Sequence, residues 1–221
     1  MSMYFLQPMT AGQRKYIGCR SGAAIGSNIV AKRLYSTVNV QETTPSLWLT
    51  ASEMAFCKAE GVLRGWNMGG GTAKEYYERG VTLSFNQWGA DGVVNYLLDD
   101  TSTEANYADA LGGFGGAAAK ASTITIKWDD NAPMDEKMER LITQKWIALF
   151  PNGQEAWNEI RRTGYPRIFS VPQATNGYTL LTPNRIPFDK NQQINNRSNY
   201  DKAVELLGGP DDYATPMWWQ R

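Results

Sequence analysis

The sequence predicts an all-α domain, a helical bundle dressed with long irregular loops. Two threonine capping boxes, Thr50-x-x-Glu53 and Thr72-x-x-Glu75, each open an apolar stripe at helical spacing. A third, stronger stripe follows Pro133, a residue suited to a helix's first turn. Strand-like alternation is confined to short stretches, which leaves helices as the means of burying the apolar residues.

Residues 1–46 show little periodicity and read as extended segments and loops, with a short strand expected near residues 29–40. From residue 47 the pattern changes. The Thr50 hydroxyl can accept from the Glu53 amide, and Leu49 can staple onto Met54. Phe56, Ala59, Leu63 and Trp66 recur at helical intervals until Gly65 ends the element. After the turn Asn67-Met68-Gly69-Gly70-Gly71, Thr72 starts a second helix with the stripe Tyr77, Val81, Ser84, Phe85 and Trp88. The short loop makes the two helices antiparallel. Gly61 and Gly80 fall inside them, each costing about 1 kcal/mol against Ala, and close approach between the helices is the expected compensation. The pair, at roughly 34 residues, is tetratricopeptide-like in length but matches that consensus poorly.

A short helix is expected over residues 91–98, then a low-complexity loop over 99–121 centred on Gly112-Gly113-Phe114-Gly115-Gly116. That loop lacks the Lys-Ser/Thr ending of a phosphate-binding loop. Residues 122–128 alternate Thr with Ile and read as one strand. The helix after Pro133 carries Met138, Leu141, Ile142, Trp146 and Leu149, and Pro151 stops it. Asn152-x-x-Glu155 caps the next helix, which bears Trp157 and Ile160 and ends at Gly164 and Pro166. The chain is then irregular to a last helix over 198–207, closed by Gly208-Gly209-Pro210 and a Met217-Trp218-Trp219 tail.

Composition narrows the function. Of 221 residues, 42% are hydrophobic and 20% charged, with a formal net charge of zero. A nucleic-acid partner is not expected, because phosphate neutralisation needs an excess of Lys and Arg. With no histidine, His-based acid–base or nucleophilic catalysis and His-liganded zinc are excluded, and no cofactor or metal is expected. Cys19 and Cys57 lie far apart, and a disulfide between them is not expected. Eight Trp and eleven Tyr exceed what such a core needs; their apolar faces and polar edges suit interfaces and sugar-like ligands.

Several stretches resemble one known family. Glu53-Met54-Ala55-Phe56-Cys57-Lys58-Ala59-Glu60 running into Leu63-Arg64-Gly65-Trp66 is similar to a helix of the SusD/RagB family. So are Ile142 to Phe150 and Asn152-Gly153-Gln154-Glu155-Ala156-Trp157. Trp157-x-x-Ile160-Arg161-Arg162-Thr163-Gly164-Tyr165-Pro166 resembles its C-terminal signature, and Arg185-Ile186-Pro187-Phe188 with Asn199-Tyr200 its closing pattern. The likeness covers residues 47–219 in order.

The resemblance implies an α-helical, glycan-binding lipoprotein on the outer-membrane surface of Bacteroidetes. It implies oligosaccharide or polysaccharide as ligand and a TonB-dependent, SusC-like transporter as partner, with membrane attachment only through an N-terminal lipid anchor. No lipobox cysteine or preceding helical region is recognised, so the chain is expected to be a C-terminal portion, divided into an irregular segment (1–46) and a SusD-like helical domain (47–221). Two other roles stay open: a structural or interaction piece without ligand binding, and a carboxylate-only glycosidase.

Candidate ligand residues are the aromatics placed beside amides or in loops. Trp66 with Asn67, and Trp88, stand at helix ends; Tyr35, Trp48 and Tyr107 stand in loops. Core packing competes as a reading for Trp66 and Trp88, whereas Trp146, Trp157 and Tyr77 lie on apolar stripes and are expected in the core. Arg161 and Arg162 could clamp a ligand, but arginines before Gly-x-Pro are ordinary helix-stop chemistry, with Glu139 or Glu155 as expected partners. The pairs Asp99-Asp100, Asp129-Asp130 and Asp211-Asp212 do not form acid–base couples by adjacency.

Overall fold

A computed structural model describes residues 5–6, 18–20, 35–38, 41–109, 116–169 and 183–220. Among the described residues seven α-helices form the body: α1 (Ala51–Leu63), α2 (Ala73–Gln87), α3 (Val93–Leu97), α4 (Met134–Ala148), α5 (Gly153–Thr163), α6 (Lys190–Asn195) and α7 (Arg197–Leu207), followed by a 3-10 turn, Trp218–Gln220. Among the described residues the strands are two antiparallel two-residue pairs. β1 (Phe5–Leu6) pairs with β2 (Thr37–Val38), and β3 (Tyr107–Ala108) with β4 (Ala117–Ala118). The all-α expectation holds. Residues 29–34 and 110–115 lie outside the described residues, and with them most of the first expected strand and of the glycine loop.

The caps form where local chemistry places them. Thr50 Oγ1 accepts from the Glu53 amide at 3.1 Å, and the Thr72 box closes both ways with Glu75. Asn152 accepts from the Glu155 amide. Gly164 and Gly208 end α5 and α7 in the left-handed conformation that L side chains avoid. Leu49 and Met54 both stay exposed, so no buried staple joins them.

α1 and α2 run antiparallel. Ser52, early in α1, donates to the Gly80 carbonyl midway along α2 at 2.7 Å; the Tyr76 hydroxyl, early in α2, donates to the Met68 carbonyl just past α1. The two glycines serve different contacts. A Cβ on Gly80 would come within 2.8 Å of the Phe56 ring, so this glycine does permit the helix–helix approach. At Gly61 the neighbour is Met68 of the connecting loop, not α2. Phe56, Ala59, Tyr77, Val81, Trp128, Leu141 and Ala148 form the core between α1, α2 and α4. Burying each of the larger side chains contributes about 1.5–3 kcal/mol.

Residues 122–128 are not the expected strand. They run without a partner strand, and side chains or a neighbouring loop satisfy their backbone instead. The Ile126 carbonyl accepts from Tyr77, the Thr125 carbonyl from Arg140, and the Lys127 amide donates to the Asp99 carbonyl. α6 is a helix the sequence reading did not anticipate; its N-cap, Asp189, accepts from the Asn191 amide.

Candidate functional site

A cavity of about 710 Å³ opens beside α4. Four residues of α4 line it at the spacing i, i+3, i+4, i+7: Arg140, Thr143, Gln144 and Ile147. That interval puts them on one stripe of the helix. Trp146 joins the wall and is 37% exposed, so it is not the core residue its apolar neighbours in sequence implied. The opposite face of α4 carries Leu141, Lys145 and Ala148 into the interior. Tyr96 of α3 reaches over to donate to Gln144 Oε1 at 3.0 Å. Ser122, Ile124, Thr125 and Ile126 form the floor, and Ile168 and Phe169 close the far side.

The remaining wall comes from the β3–β4 ribbon and residues 18–20. The Tyr107 hydroxyl donates to the Gly18 carbonyl and accepts from the Arg20 amide. Its ring stands 5.8 Å from that of Phe169, with the Arg20 guanidinium 5.7 Å from its centroid. Arg20 Nη1 donates to the Ala117 carbonyl at 2.7 Å, tying this segment to β4. Burial pushes the Tyr107 phenol up, and Asp109 adds to the rise against the Arg20 amide, so it stays neutral at physiological pH. Burial does the same for Tyr96.

The buried charges of this wall differ from those elsewhere. Arg140 and Arg20 are 5% and 8% exposed. Arg140 donates from Nε to the Thr125 carbonyl and, at 3.4 Å, from Nη2 to its hydroxyl; its Nη1 has no protein partner. Arg20 Nε and Thr143 Oγ1 are likewise buried without one. Glu104 is the one acidic residue lining the cavity among the described residues, and its Oε2 already accepts from the Ala121 and Ser122 amides.

Of the six candidate residues, Tyr107 alone lines this cavity. Tyr35 is buried behind the ribbon, its hydroxyl donating to Asp109 at 3.1 Å. Trp66 is 63% exposed past α1, next to Asn67, whose side chain accepts from the Gly69 amide. Trp48 is 86% exposed ahead of α1, and Trp88 is half-buried at the end of α2. Since the helices are antiparallel, Trp48 and Trp88 share the hairpin end opposite Trp66. The structure thus separates these rings into three places. Arg20, Arg140 and Gln144 escaped the sequence search. The polar stripe through α4 was the available signal, hidden because attention to apolar periodicity selects the other face.

The arginine-rich end of α5 is scaffold. Arg162 holds Glu60 of α1 through both nitrogens, and Nη2 also bonds Glu159; Glu159 in turn pairs with Lys145 of α4 at 2.8 Å. The expected partners Glu139 and Glu155 are not the ones used; Arg167 reaches Glu139 instead. Arg161 stacks 3.8 Å from the Trp157 ring centroid and 5.0 Å from that of Trp219, folding the tail back, and Trp157 is half-buried rather than core. The paired aspartates are structural too. Asp99 turns its own loop, Asp130 accepts from the Trp128 indole, and Asp211 pairs with Arg185.

The family model described as SusD-like, for Susd and RagB outer membrane lipoproteins, matches residues 1–220. A solved SusD homologue from Bacteroides uniformis ATCC 8492 is 40% identical with a TM-score of 0.92, over 100% of this chain and 46% of that one. A SusD-like protein from Bacteroides thetaiotaomicron VPI-5482 is 40% identical with a TM-score of 0.90, over 99% and 46%. A chitin-binding SusD homologue from Flavobacterium johnsoniae is 38% identical with a TM-score of 0.85, over 99% and 45%. The chain spans just under half the length of each of these structures. No curated protein sequence matches it.

Proposed function

The chain belongs to the SusD/RagB family of outer-membrane lipoproteins, and on that premise we propose that it serves a non-catalytic, glycan-binding subunit of a nutrient-uptake complex that hands oligosaccharide to a TonB-dependent transporter. The observation that carries this reading is the cavity beside α4, roomy and walled by both rings and polar groups, in a chain 38% identical to a chitin-binding relative. Sugar rings present C–H faces that stack on aromatic side chains, while their hydroxyls exchange hydrogen bonds with amides, hydroxyls and guanidiniums. Tyr107, Trp146 and Phe169 supply faces; Thr143, Gln144 and Arg140 supply polar partners.

Trp66 with Asn67 at one end of the α1–α2 hairpin, and Trp48 with Trp88 at the other, are outer contacts for longer chains. Tyr35 acts behind the ribbon by holding Asp109. Binding without cleavage is favoured by the acids present. Hydrolysis in most glycosidases needs two converging carboxylates, and Glu104 stands alone in the wall and is already bonded. The transporter hand-off follows the family premise.

Affinity electrophoresis of the intact protein through gels containing soluble polysaccharides tests the reading. Retardation by at least one glycan, reduced in Tyr107→Ala and unaccompanied by release of reducing ends, is the expected result. A folded protein that no glycan retards refutes it in favour of a purely structural role. Co-purification of a TonB-dependent transporter from outer membranes checks the partner.

A further inference from the structure

Among the described residues four cations are buried: Arg20, Arg140, Lys145 and Arg185. Two of them are neutralised in the ordinary way. Lys145 meets Glu159 at 2.8 Å, and Arg185 meets Asp211 at 2.5 Å. Every Asp and Glu of the sequence lies among the described residues, yet Arg20 and Arg140 have no Asp or Glu within ion-pair distance. A buried, unpaired guanidinium is costly, which is why buried charges are nearly always compensated. These two line the same cavity. Moreover, among the described residues, three of the four buried side-chain polar atoms without a partner belong to residues that line it: Arg20 Nε, Arg140 Nη1 and Thr143 Oγ1. The fourth, Arg161 Nε, belongs to a side chain held between two tryptophans.

We infer that the cavity beside α4 takes an acidic sugar, with Arg20 and Arg140 receiving an oxyanion borne by the glycan, a uronate carboxylate or a sulfate ester. The inference rests on the glycan-binding reading and narrows it to a ligand class. The protein supplies cation and donor where the ligand supplies anion and acceptor, and guanidinium is the side chain best matched to planar or tetrahedral oxyanions. The aromatic neighbours complete the fit. Tyr107 and Phe169 offer faces to the sugar ring that carries the charge, and the Thr143 hydroxyl offers a neutral bond. A charged occupant recovers the lost solvation of the two arginines more fully than a neutral sugar, whose hydroxyls accept weaker bonds from a guanidinium.

Calorimetric titration of the intact protein provides the test, with three probes: an oligogalacturonide, the same oligosaccharide with its carboxyls reduced to alcohols, and a sulfated chondroitin oligosaccharide. At least one acidic probe binds tenfold or more tighter than the reduced one, since a single lost charged hydrogen bond corresponds to about tenfold. Comparison of the two acidic probes distinguishes carboxylate from sulfate. In Arg140→Gln and Arg20→Gln the preference for the acidic probe collapses toward one, while Arg197→Gln, an exposed cation paired with Asp201 on α7, leaves it unchanged. If the reduced probe binds as tightly as both acidic ones, the inference fails and the glycan-binding reading survives. If none of these probes nor any polysaccharide binds, both fail together. The wild-type comparison decides the matter even where an arginine variant does not fold.

Discussion

The two faces of α4 solve the same electrostatic problem in opposite ways. On the inner face, Lys145 is 4% exposed and gives its charge to Glu159, which Arg162 shares and links to Glu60 on α1. Three helices are joined there by alternating charges, each with a partner. On the outer face, Arg140 is equally buried, lines the cavity and keeps one nitrogen without a protein partner. The inner face is arranged for the folded state as it stands. The outer face, on the inference drawn above, is the one that a ligand completes. Under the reading proposed above, the paired charges of α4 belong to the scaffold and Arg140 is left for a ligand.

That contrast is most directly broken on the inner face. Lys145→Met leaves Glu159 buried with only Arg162, and lowers unfolding stability by about 3 kcal/mol in urea titration. A loss under 1 kcal/mol would show the network to be incidental. Next in size is the helix contact beneath it. Gly80→Ala drives a methyl against the Phe56 ring and costs about 2 kcal/mol, with no change in ligand binding.

Acid gives a graded effect. Burial raises the Glu60 carboxyl, but bonds from Arg162 and Arg64 outweigh it and leave the group below its ordinary value. Asp211 behaves likewise: burial raises it, and Arg185 together with the Phe188 amide brings it lower. Such groups stabilise the fold above the unfolded carboxyl value of about 4, and lose that contribution as pH falls through the folded value. Melting temperature is therefore flat from about pH 6 to 8 and drops below about pH 4, less steeply in Glu60→Gln, which starts lower at neutral pH. The smallest effect belongs to the cavity. Arg140→Met removes an unpaired charge along with its two hydrogen bonds to Thr125, and shifts stability by less than about 1 kcal/mol. A loss as large as that of Lys145→Met would erase the distinction between the faces.

The reading of helices from sequence succeeded where the signal was local. Thr50, Thr72 and Asn152 cap in the structure as their spacing demands, because capping depends on residues three apart. It failed over residues 122–128, where Thr-Ile alternation has no partner strand and Arg140 and Tyr77 take up the backbone. Trp146 and Trp157 failed similarly, since an aromatic on an apolar stripe says nothing about what the neighbouring segment covers.

By itself, then, the sequence determined every described helix but α6, the principal caps, the antiparallel hairpin and the family, all carried by contacts or motifs a few residues long. Tertiary structure alone decided which charges are paired. Arg20, Tyr107, Thr125, Arg140 and Phe169 meet around one cavity although the chain separates them widely. Whether a buried guanidinium finds a carboxylate is set by which distant segments converge on it, and no local pattern encodes that convergence.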